Sequence, residues 1–115
     1  GTDVALLLGL LNTLFAENLT KASPVLDATE GLDAVAAAVS DFSAEKMAPH
    51  CGISAEQIKQ LARDFAAAEH AVCYGRMGVS VQRYGTLCQW LIQVINVVTG
   101  NLDVPGGSLF PERSF

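Results

Sequence analysis

Apolar residues recur at helical spacing from the start of the chain. Val4, Leu7, Leu8, Leu11, Leu14 and Phe15 lie three or four apart, which predicts a helix over 3–16. Leu6 and Leu10 widen its apolar face almost to a full circle, so it is expected to be covered on several sides. Thr2 stands where a side-chain oxygen can cap the first amides, and Asp3 suits the positive end of the helix dipole. The stretch 18–30 is polar and contains Pro24, which predicts a loop with at most a short turn.

Leu32, Val35 and Val39 predict a short helix over 31–40, and Ser43-Ala44-Glu45 opens another over 43–49 that Pro49 and Gly52 are expected to end. Ser54-Ala55-Glu56-Gln57 has the capping-box form, and Ile58, Leu61, Ala62 and Phe65 follow as a stripe, predicting a helix over 54–68. The apolar run Ala71-Val72-Cys73-Tyr74 predicts a buried strand over 71–74. A turn at Gly75-Arg76-Met77-Gly78 then leads into a helix over 82–98, striped by Leu87, Trp90, Leu91, Val94, Ile95 and Val98 and stopped by Gly100-Asn101. The expected fold class is mainly α: about five helices with one or two short strands, and no evident partner for the strand at 71–74.

Composition narrows the function. The 115 residues have room for one domain, and half of them are apolar, enough for a core without disulfides. Seven basic and twelve acidic residues give a net charge of −5 with no basic cluster, which argues against a nucleic-acid partner. The run from Val4 to Phe15 is shorter than the ~20 residues a membrane-spanning helix needs. Cys51, Cys73 and Cys88, with His50 and His70, lack the spacing of zinc or iron–sulfur ligands, so no metal site is expected. Three unclustered cysteines fit reduced thiols in a cytoplasmic interior, although a periplasmic location is not excluded.

The chemistry centres on the step from strand to Gly75-Arg76-Met77-Gly78 to helix. Glycines there let a ligand approach the backbone, and a helix N-terminus offers amides to an anion. The spacing is neither the dinucleotide fingerprint nor a Walker loop, and a turn that merely needs glycine accounts for it equally well. Four segments taken in order are more specific: Gly1-Thr2-Asp3-Val4-Ala5-Leu6, Gly52-Ile53-Ser54-Ala55-Glu56-Gln57-Ile58, Tyr74-Gly75-Arg76-Met77-Gly78-Val79-Ser80, and Thr99-Gly100-Asn101-Leu102-Asp103-Val104-Pro105-Gly106-Gly107. This ordered set resembles the molybdopterin oxidoreductases related to dimethyl sulfoxide reductase, formate dehydrogenases and periplasmic nitrate reductases.

The resemblance implies an internal fragment of a large catalytic subunit, with 1–115 as one segment of a larger α/β Rossmann-like cofactor-binding domain. Its cofactor would be molybdopterin guanine dinucleotide with molybdenum or tungsten, and none is expected bound to this chain. Carried over by motif, Thr2 and Asp3 face the nucleotide, with helix capping as the alternative for both. Gly75, Arg76, Met77 and Gly78 approach the pterin, and Gln82 is a more distant candidate. For Met77 the alternative is core packing, and for Arg76 a surface ion pair. Neither the iron–sulfur cysteines nor the metal ligand of the family pattern is present, so the chain is expected to be inactive alone and to have no catalytic residue. Expected partners are the remainder of the parent polypeptide and, through exposed apolar helices, a second copy. Hydration by tungsten relatives is a variant of this reading. The reading of a different class is a small helical interaction module with no cofactor.

Overall fold

The computed structural model describes residues 1–114. Seven helices occur among them: α1 (Asp3–Ala16), α2 (Pro24–Asp27), α3 (Leu32–Val39), α4 (Ala44–Cys51), α5 (Ala55–Ala67), α6 (Met77–Ser80) and α7 (Gly85–Val98). The five expected helices are all present; α2 and α6 are additional single turns. Ser23 caps α2 through its side chain and Pro24 occupies the first turn, where its missing N–H costs nothing.

Helix α1 is central, packed against α3, α4, α5 and α7. Its Leu7, Leu10, Leu11 and Leu14 are buried together with Val39, Ala44, Ile58, Ala62, Leu91, Ile95 and Val98 from those neighbours. The near-circular apolar face therefore corresponds to a helix covered on several sides. Gly9 marks the closest approach, since a Cβ there would lie 3.2 Å from Ile58 and 3.4 Å from Met47. On the rim, Arg63 of α5 grips Glu17 with two hydrogen bonds of 2.8 and 2.7 Å, and Lys59 pairs with Glu45 of α4. The Arg63 guanidinium holds the Glu17 carboxyl below its ordinary value, so this contribution is present above the carboxylate range and lost as pH falls through it.

The local signals at α5 are realised in full. Ser54 Oγ accepts from the Gln57 amide and Gln57 Oε1 accepts from the Ser54 amide, both at 3.2 Å. In α4 the expected stop divides: Gly52 ends the helix in the left-handed region at φ 73°, but Pro49 lies inside it. The cost to α4 is one intrahelical hydrogen bond.

Three expectations need correction. Thr2 occupies the N-cap position of α1, but its side chain makes no capping bond. Its ψ of 1° departs from the extended backbone that aims such a side chain at the amides. The helix expected over 82–98 begins three residues later, at Gly85, because the chain turns between α6 and α7. Gly85 makes that turn possible: a Cβ there would lie 2.0 Å from the Ser80 carbonyl oxygen. Lastly, no strand occurs among the described residues; the sole β-bridge joins Leu102 to Ser108. Residues 71–76 nonetheless alternate in burial as a strand does, with 71, 73 and 75 half-buried and 72, 74 and 76 exposed.

Because the Ser80 carbonyl is backbone and cannot swing away, Gly85→Ala is expected to destabilise the chain by about 2 kcal/mol or more. Chemical denaturation measures this, and an unchanged midpoint would contradict the α6–α7 turn described here.

Candidate functional site

Asp3 opens α1 and Gln82 follows α6, so the two come from opposite ends of the chain. Gln82 Nε2 donates to Asp3 Oδ2 at 2.6 Å and to the Gly78 carbonyl at 2.8 Å. The structure thus brings Asp3, Gly78 and Gln82 together, with Gly1 and Thr2 adjoining Asp3 in sequence. Helix formation leaves the first amides of α1 without intrahelical acceptors; the earliest bonds are from Ala5 and Leu6 to the Thr2 carbonyl.

The turn residues differ from one another. Gly75 is explained by its own packing, because a Cβ would meet Ile92 at 2.5 Å. Gly78 is not: nothing lies within 4 Å of a Cβ there. Met77 is 77 % exposed, so the core-packing alternative does not describe it. Arg76 is exposed and, among the described residues, has no carboxylate partner, so the surface-pair alternative is not realised either.

Beside Thr2 lies a cavity of about 500 Å³ whose walls include Val4, Leu8, Phe42, Met47, Tyr84 and Leu87, with His50 among its few polar groups. Sequence periodicity could not assemble it, because Phe42 and Tyr84 lie outside the helices. Also missed were Gln89, Asn96 and Asn101, whose side-chain amides hold the segment before the turn. Asn96 Oδ1 accepts from the Cys73 amide at 2.8 Å and Asn96 Nδ2 donates to the Cys73 carbonyl at 2.9 Å. For Gln89 and Asn96 the one visible signal is a polar residue on a largely apolar helix; Asn101 lies past its end.

No group of three or more His, Cys, Asp or Glu side chains suited to a metal occurs among the described residues. The cysteines do not cluster. Burial pushes both the Cys73 and Cys88 thiols above their ordinary range, and the Asp3 carboxylate adds to the effect at Cys88.

A dimethyl sulfoxide/trimethylamine N-oxide reductase from Cereibacter sphaeroides is 36 % identical to this chain over 92 % of its length. Formate dehydrogenase H of Escherichia coli is 30 % identical over 98 %. No family model matches the chain. The chain belongs to the molybdopterin oxidoreductase superfamily. It spans 14 % of the reductase and 16 % of the dehydrogenase. Acetylene hydratase from Pelobacter acetylenicus shares the fold, with a TM-score of 0.82 over 94 % of this chain and 15 % of the hydratase at 22 % identity. Among the described residues no helix is long and apolar enough to cross a membrane.

The raised thiols give a signed prediction. Their contribution to stability is intact below the unfolded thiol range near pH 9 and erodes as pH climbs towards the folded values. At pH 8 a disulfide reagent should label half-buried Cys51 promptly and Cys88, which is fully buried, only as the chain unfolds. Equal labelling rates would contradict the packing of Cys88 beneath α1.

Proposed function

We propose that this chain is a cofactor-positioning segment of the large subunit of a molybdenum- or tungsten-dependent oxidoreductase, without catalytic activity of its own. One observation carries the reading: Gln82 bonds both Gly78 and, 79 residues away in sequence, Asp3, uniting two of the family-like motifs at one place. The chain's relatives, reductases and formate dehydrogenases by name, support redox chemistry in the parent. The small share of each relative that the chain spans supports a larger polypeptide, with 1–115 as one segment of a Rossmann-like region.

The residues present fit one end of a guanine dinucleotide. Asp3 keeps a carboxylate oxygen that Gln82 does not use, suited to the donors of guanine or ribose. The unpaired amides at the start of α1 suit an anionic or carbonyl oxygen. The open space over Gly78 admits a flat ring, with exposed Arg76 and Met77 beside it in sequence. Thr2 and Gly75 complete the set, the first through its uncommitted hydroxyl and the second by fixing the turn. When bound, the molybdopterin supplies two-electron chemistry; this chain's residues bind and orient it.

The purified chain should bind guanosine monophosphate weakly, with an affinity of about millimolar order, because only part of a pocket is present. Asp3→Ala should reduce that binding several-fold, whereas Gln60→Ala on the exposed face of α5 should not. A plain helical interaction module would show neither effect. Nucleotide binding unchanged by Asp3→Ala would remove the site, and stoichiometric molybdenum in the isolated chain would overturn its reading as a passive cradle.

Self-association is part of the same proposal. Tyr74, Met77 and Val81 are each at least 75 % exposed, and Trp90 and Leu61 nearly half, leaving apolar area for another surface to cover. Light scattering should report species larger than the monomer at high concentration. A clean monomer mass there would count against it.

A further inference from the structure

Residues 71–75 have the alternating burial of a strand, yet what holds them is a helix. The contacts repeat at every second residue. The Ala71 amide donates to Asn101 Oδ1 at 3.3 Å, both backbone groups of Cys73 are met by Asn96, and the Gly75 carbonyl accepts from Gln89 Nε2 at 3.3 Å. Gln89 and Asn96 lie seven residues apart on α7, two turns along one face, and Asn101 follows just past the Gly100 stop. A primary amide carries the donor and acceptor of a peptide group, so it can answer a backbone edge as another strand would.

We infer that Gln89, Asn96 and Asn101 form a ladder of side-chain amides that replaces a neighbouring β-strand and positions the Gly75–Gly78 turn. Asn96 is fully buried, and a carboxamide in that position is costly unless both its ends are satisfied. Both ends are taken by Cys73. Gln89 also donates to Ser80 Oγ at 2.9 Å, so one side chain bridges the approach to the turn and the end of α6. Between those two anchors lie Arg76, Met77 and Gly78, and the Gly78 carbonyl in turn holds the Gln82 amide that bonds Asp3. What the turn is positioned towards rests on the cofactor reading above; the ladder itself does not.

Amide hydrogen exchange on the intact chain tests the ladder. The Ala71 and Cys73 amides should be protected, and the Val72 and Tyr74 amides, which donate to no acceptor among the described residues, should exchange at least tenfold faster. Gln89→Leu keeps most of the side-chain volume at a half-buried position, so the chain should remain folded. It should leave Cys73 protected, speed exchange at the turn, and weaken guanosine monophosphate binding several-fold. A substitution with a merely structural effect would lower the melting temperature without changing nucleotide affinity measured well below it. Asn96→Leu, which removes the acceptor that holds the Cys73 amide, should abolish protection at Cys73. Equal protection at residues 71–74, or a turn unaffected by Gln89→Leu, would overturn the ladder. If the unaltered chain binds no nucleotide, the cofactor reading fails, while the exchange pattern still decides whether the ladder exists.

Discussion

A helix that is apolar on nearly every side must be covered on nearly every side, and α1 imposes that requirement on the rest of the chain. Leu11 and Leu14 are essentially inaccessible, and α3, α4, α5 and α7 are placed so as to make them so. Burying each such side chain contributes about 1.5–3 kcal/mol, so no surface ion pair competes with it in setting the architecture. The consequence for the site is direct. Asp3 begins α1 and cannot move independently of the core, while Gln82 and the 75–78 turn reach it from the segment leading into α7.

Covering α1 with helices creates a second constraint. The segment from Ala71 to Gly75 runs beside α7 with no strand among the described residues to pair with it, and backbone polar groups taken from water need partners. Asn96 meets this need inside the core, where an apolar residue would leave the Cys73 amide and carbonyl unpaired. The same economy appears at Asn101. Its Oδ1 accepts from Ala71, its Nδ2 donates to Thr99 Oγ1 at 2.9 Å, and its backbone carbonyl accepts from Ser108 at 2.8 Å. The Thr99-Gly100-Asn101 step of the family-like motif thus has a structural explanation that needs no ligand.

The parts legible in the sequence were those set by local chemistry. The capping box at Ser54 and Gln57 and the left-handed glycines at 52 and 100 involve residues within a few positions of one another, and all occur as expected. The stripe of α1 was equally plain. The run at 71–74 shows where local reading stops: its alternation is real, but strand pairing depends on residues far along the chain, and here amide side chains took that role. Thr2 failed as a side-chain cap for a similar reason, since its hydroxyl direction depends on a backbone angle that residue type does not determine. Of the candidate site, the motifs gave Asp3 and Gly78, with Gln82 as a separate, more distant candidate, and only folding shows that Gln82 bonds both. A polar residue on an apolar helix face, such as Asn96, was the available signal for the ladder, and periodicity counts pass over it because they register only the apolar positions.

The glycines sharpen the distinction between what this chain needs for itself and what it offers elsewhere. Gly85 is required by the Ser80 carbonyl, and Gly107 by the Asn101 carbonyl oxygen 2.2 Å from where its Cβ would stand. Neither needs a ligand to account for it. Gly78 is different, for its φ is not in the left-handed region and the space around it is open. A larger residue would fit there without strain and, in a helical turn, would lower the conformational entropy of the unfolded chain by a few tenths to about 1 kcal/mol. Folding of these residues alone therefore gives no reason for glycine at 78. A surface that must come within van der Waals reach of the backbone does give one, and Asp3, held two hydrogen bonds away through Gln82, lies on the same side of the question.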